Sequence, residues 1–244
     1  AVGGSPDLVG EMGLATIGGL QDNRVVACGK HFPGHGDTAT DSHKELPVVD
    51  AGLQRLRDTE FPPFQQAIRY GVASLMTAHV LYRALDPEAP ATLSSAVIQR
   101  LLREEFRYEG VVFTDDLEMH AIIDHDGIGE AAVRSFVAGC DVLLICKDQD
   151  RVMTAMQAME RAVKDGRITQ ERLDQSLARV AKLKVRYLPP YQPVTISDAR
   201  LVVGCRSHKV LRDSWHKAYA RIPKPTLVER GQAAPAHDSP VTHV

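Results

Sequence analysis

Apolar residues along this chain recur in two alternating patterns, short unbroken runs that read as strands and spacings of three to four that read as helices. A helix opens the chain over Pro6 to Leu14, with Ser5 or Asp7 as its cap. Apolar runs then predict strands at 24–30, 72–77, 110–114 and 141–145. Helical spacing fills 52–58 and 61–70, broken by Pro62-Pro63, and runs from a cap at Ser94 or Ser95 to about Tyr108. It returns at 117–124, 129–139, 149–165 and 169–186. Strands apolar on both faces, alternating with helices, specify a parallel sheet covered by helices. Four βα units fall short of the eight that a closed barrel needs, so the pattern fits an open doubly wound sheet or the second half of a barrel. In both, chemistry belongs at the carboxyl ends of the strands.

From Leu188 the pattern changes in kind. Pro189-Pro190-Tyr191-Gln192-Pro193 reads as a linker, Leu201-Val202-Val203-Gly204 as a short strand, and residues from about 222, rich in Pro, Ala, His and Ser, as disordered. The expected organisation is a domain over 1–187 and a linker and irregular tail over 188–244.

Composition narrows the partners. With 244 residues and 44% hydrophobic content the chain can bury a sizeable core. Its 29 basic and 31 acidic side chains leave a net charge of −2, without the positive field that phosphate backbones or anionic membranes require. Neither nucleic acid nor a membrane is an expected partner. Cys28, Cys140, Cys146 and Cys205 lie far apart with no CxxC pair, which argues against a zinc ribbon and a disulfide framework. With no run of eighteen apolar residues the chain reads as soluble, and unpaired cysteines favour the cytoplasm.

The densest chemistry lies directly behind the first strand, where residues 30–43 gather Lys30, His31, His35, His43, Asp37 and Asp41 in a loop bounded by Pro33, Gly34 and Gly36. Such a stretch makes a poor core and a good site. Lys30 and His31 are donors suited to sugar hydroxyls or the oxygens of a small polar ligand. Asp41 and His43, one residue apart, lie on the same side in extended geometry, and a carboxylate-held imidazole suits a general acid and base. The three histidines match no zinc spacing, so no metal is expected. The third strand runs into Thr114-Asp115-Asp116. Asp116, ahead of Leu117-Glu118-Met119, reads as a helix cap, which leaves Asp115 at the mouth.

Together KHFPGHGDTATDSHKELP, Met76-Thr77-Ala78-His79 and GVVFTDDLEM resemble the bacterial β-N-acetylglucosaminidases of glycoside hydrolase family 3. The resemblance implies a partial (β/α)8 barrel of α/β class, a retaining mechanism and a small carbohydrate substrate ending in N-acetylglucosamine, from muropeptides of peptidoglycan recycling or from chitooligosaccharides. It implies that Lys30 and His31 bind the sugar, that His43 is the acid and base with Asp41 orienting it, and that Asp115 is the nucleophile. With acid and nucleophile supplied by side chains, no cofactor is expected. A histidine then stands where retaining glycosidases usually carry a second carboxylate. A phosphorylase, with phosphate in place of water, and an inactive sugar-binding half-barrel remain alternatives. Complete members of this branch carry a long segment ahead of KHFPGHG, with an aspartate and arginines that grip the sugar, whereas 29 residues precede it here. The expectation is a chain without the first barrel strands, weakly active and marginally stable by itself, with 195–220 as a remnant of a second domain.

Overall fold

The structure, a computed structural model, describes residues 5–36, 46–188, 190 and 193–220, the side chains of 124, 125 and 218–220 excepted. The chain divides after Pro189 into two units. In chain order the first unit begins with α1 (Pro6–Gln21), β1 (Cys28–Phe32), β2 (Val48–Val49), α2 (Leu53–Arg55) and α3 (Phe61–Tyr70). It continues with β3 (Ser74–Thr77), β4 (Leu81–Tyr82), a π-wound helix (Ala96–Glu105) and β5 (Val111–Asp116). Then follow α4 (His120–Ala138), β6 (Val142–Leu144), α5 (Gln149–Lys164) and α6 (Gln170–Tyr187).

Among the described residues the main sheet is parallel, in the order β1-β3-β5-β6, with β2 and β4 as a separate parallel pair. A doubly wound sheet reverses its strand order at a switch point. This sheet never reverses: each strand sits beside the last, as in a barrel, so it is four consecutive strands of a partial (β/α)8 barrel.

Local chemistry explains most element boundaries. Ser5, not Asp7, caps α1, its Oγ accepting the Leu8 amide at 3.2 Å. Ser94 Oγ accepts the Val97 amide at 3.2 Å at the head of the π-wound helix. Pro62 and Pro63 do not break the helix as the sequence suggested. They fall in the first turn of α3, after a π-type turn over Leu56–Glu60, where a missing amide proton costs little. Gly127, at φ 68°, interrupts α4, which leaves the two helical stretches read from the sequence. The first strand, expected over 24–30, starts four residues later, because its register with β3 begins at Cys28 opposite Ser74. Val25 and Val26 only lead into it.

One face of the sheet packs on the helices: Phe32, Leu75 and Val112 join Phe61, Phe64, Ala67, Ile98, Leu101 and Leu102 in the core. Lys30, Met76, Phe113 and Val142 share one level of the sheet. At the amino ends, Asp141 ties the sheet to its helices. Its buried carboxylate accepts Arg103 Nη2 at 2.7 Å, Ser176 Oγ at 2.6 Å, Arg179 Nη1 at 3.1 Å and the Val112 amide at 3.0 Å. Arg172, 3.6 Å from the same carboxylate, also donates to the carbonyls of Phe136 and Cys140 and so pins α6.

In the second unit, α7 (Ile196–Val202) and α8 (Arg206–Ala220) are described. The short strand expected at 201–204 is instead the end of α7 and a turn at Gly204, φ 67°. Thr195 and Asp198 form a reciprocal capping box that starts the helix and outweighs the β-branched run at its end. The residues from 221 onward, where disorder was expected, lie outside the described residues. Among the described residues no helix is long and apolar enough to cross a membrane.

Candidate active site at the carboxyl ends of the strands

Two breaks in strand register build the site. Between β1 and β3, Lys30 pairs with Met76 and Phe32 with Thr77, so His31 is an extra residue on β1. Between β5 and β6, Phe113 pairs with Val142 and Asp116 with Leu144, which leaves one residue of the Thr114-Asp115 pair extra. Bulges re-aim the side chains they carry. These two bring His31 Nε2 to 3.3 Å from Asp115 Oδ2, across the intervening β3, with 22% and 24% of the side chains exposed. The other oxygen of Asp115 accepts the Asp116 amide at 2.9 Å.

The support under this pair is apolar and rigid. Phe32, one residue beyond His31, is fully buried edge-to-face against Phe64 and Phe106, with ring centroids 5.3 and 6.2 Å apart. Burying such a ring contributes about 1.5–3 kcal/mol. The turn that follows requires Gly34, which has φ 139°; a Cβ there would lie 2.7 Å from that of Glu60. Tyr82 Oη donates to the Gly34 carbonyl at 2.6 Å. His35 lies edge-to-face with His31 at 5.7 Å, and Lys30 is exposed on β1.

His79, just past β3, braces the neighbouring strand. Its ring is buried, Nδ1 lies 2.8 Å from Thr92 Oγ1, and Nε2 lies 3.0 Å from the Asp116 carbonyl. A carbonyl only accepts, so Nε2 carries the proton. Burial, the largest influence, pushes the His79 pKa below the ordinary histidine value, against the opposing pull of the Asp116 carbonyl and the nearby carboxylates.

Asp116 differs from its sequence reading. α4 starts only at His120, and Asp116 instead closes the turn before it: Oδ1 accepts the Glu118 amide at 3.1 Å and its carbonyl accepts the Met119 amide at 3.0 Å. Asp41 and His43 lie outside the described residues. Lys30, His31 and Asp115 are described, and the fold brings the last two into contact. Sequence reasoning gave no role to His79 or Glu118. A histidine placed after a buried strand is the signal available for His79, whereas Glu118 reads as an ordinary surface charge.

Comparison with known proteins adds an independent line. Residues 1–183 match the family model described as the glycosyl hydrolase family 3 N terminal domain. A β-hexosaminidase of Nitrosomonas eutropha is 36% identical over 181 residues, covering 73% of this chain and 52% of that protein. One from Neisseria meningitidis is 40% identical over 148 residues, covering 61% of this chain and 41% of its own length. The chain thus spans about half the length of these curated relatives or less. Among solved structures, a family 3 β-N-acetylglucosaminidase from Paenibacillus sp. strain FPU-7 is 46% identical with a TM-score of 0.77, covering 80% of this chain and 38% of that one. The β-glucoside phosphorylase BglX is 27% identical with a TM-score of 0.77, covering 84% of this chain and 38% of its own.

Proposed function

Because the chain belongs to glycoside hydrolase family 3, we propose that its site acts in a retaining exo-β-N-acetylglucosaminidase that removes terminal N-acetylglucosamine from muropeptides or chitooligosaccharides. The observation that carries this reading is Asp115 at the carboxyl end of β5, partly exposed and held at 3.3 Å by His31. The relatives named β-hexosaminidase and β-N-acetylglucosaminidase support the substrate class.

In the first step an Asp115 oxygen attacks the anomeric carbon while the bond to the aglycone breaks, and the His43 imidazolium gives its proton to the departing oxygen. In the second, neutral His43 takes a proton from water, whose oxygen displaces Asp115 from the same carbon and restores the enzyme. Asp41 orients His43. Lys30 and His31 donate to sugar hydroxyls, with His31 also fixing Asp115. Neither step requires a metal or a cofactor.

The test is to incubate the 244-residue chain, and the chain extended by whatever its reading frame encodes ahead of Ala1, with a chromogenic N-acetyl-β-glucosaminide and then a 2-fluoro sugar. Hydrolysis, with the trapped label on Asp115, is expected. A label on Asp116, or on neither aspartate, sinks the reading. Likeness to BglX favours phosphorolysis as the second reading. Phosphate-dependent release of sugar 1-phosphate would select it.

A further inference from the structure

The ends of β5 and β6 are joined through one carboxylate. Glu118, with a side chain only 3% exposed, sits in the turn three residues beyond Asp115. Its Oε2 accepts the amides of Cys146 at 2.9 Å and Lys147 at 2.6 Å. Its Oε1 accepts the Asp148 amide at 3.2 Å and lies 3.4 Å from Arg151 Nη1. Three successive amides at the entry to α5 form an anion cradle, and Glu118 fills it from within the chain. Beside this latch the Leu117 amide donates to the Leu144 carbonyl at 2.9 Å. On the opposite flank His79 holds the Asp116 carbonyl. The strand end that carries Asp115 is therefore gripped from both neighbours, and on the β6 side Glu118 adds the side-chain latch to the backbone bond of Leu117 and the Leu144 amide's bond to Thr114 Oγ1 at 2.9 Å.

We propose that Glu118 is a positioning residue for Asp115: by latching the loop after β6, it sets where the β5 end presents its carboxylate. The inference rests on Asp115 being the nucleophile. A nucleophile tolerates little displacement, because attack needs near-contact with the anomeric carbon along one line. If the latch opens, the three amides turn to water and the strand end loses its side-chain tie to the loop after β6.

Glu118→Gln tests this with little change of volume, since its amide nitrogen cannot accept from the cradle. The substitution is made in the form of the protein that turns over. Hydrogen exchange across residues 146–148 should quicken severalfold, and kcat on the chromogenic glycoside should fall about tenfold or more, with KM nearly unchanged and 2-fluoro sugar trapping slowed in parallel. Faster exchange with unchanged kcat overturns the positioning role, and unchanged exchange overturns the latch itself. If the unsubstituted protein traps no sugar on Asp115, the functional reading falls and the positioning role with it, while the exchange measurement still reports on the latch.

Discussion

Asp141, ahead of β6, has no exposed side-chain surface and collects Arg103, Arg179, Ser176 and the Val112 amide, whereas Asp115, at the far end of β5, is 24% exposed and meets His31 and the next residue's amide. Both are aspartates at the sheet's ends. Their surroundings separate structure from chemistry. A carboxylate whose acceptor sites are filled and shielded holds elements together and has no oxygen to offer a ligand. One that stays partly wet, held among the described residues by His31 on one oxygen and a backbone amide on the other, keeps acceptor positions open to a ligand. The barrel assigns these fates by position, stability at the amino ends and chemistry at the carboxyl ends.

The sharpest break of this comparison is Asp115→Asn, which keeps the shape and removes the carboxylate proposed as nucleophile. Turnover should fall by more than about 10³-fold while the melting temperature stays put. His43→Ala should cost natural disaccharides about 10²–10⁴-fold and nitrophenyl glycosides far less, since only a poor leaving group needs the proton. Equal losses on both substrates would contradict the acid role. At the other end, Asp141→Ala strands three arginines around an emptied site, and denaturant unfolding should show about 3–5 kcal/mol of lost stability. Activity per folded molecule should be unchanged, and a shifted pH profile would blur the division between the two ends.

The smallest effect concerns His79. Its folded-state pKa is depressed, chiefly by burial, so the unfolded chain binds a proton that the native ring refuses. The stability it contributes is complete above the unfolded value of about 6.5 and is lost as pH falls from there through the folded value. Melting temperatures measured from pH 7.5 to 5 should decline more steeply for the wild type than for His79→Gln, whose amide can still donate to the Asp116 carbonyl. Parallel curves would remove the histidine from the account.

Much of this was legible in the order of residues. Alternating apolar runs specified the βα units, because each period matches one way of burying a face. The KHFPGHG and TDDLEM segments marked the strand ends that carry the candidate chemistry. What the sequence could not supply was anything set by register. The two bulges that turn His31 toward Asp115 exist only once β1 lies beside β3 and β5 beside β6, and a bulge leaves no mark on composition. Nor could it place Asp116, whose capping role depended on where α4 starts.

The sequence by itself determined the class of fold and the strands that bear titratable side chains, since these follow from local periodicity and from which residues stand at which strand ends, while the family resemblance pointed to Asp115 as the proposed nucleophile. Periodicity left a barrel and a doubly wound sheet open, the family resemblance implied the barrel, and the tertiary structure bears it out through a strand order that never reverses. Only the tertiary structure decided that Asp141 is sealed and Asp115 open, and that Glu118 holds a loop 28 residues away from it. The physical reason is the same in each case. Hydrogen-bond saturation and burial are properties of neighbours in space, and residues far apart in sequence become neighbours only when the sheet assembles.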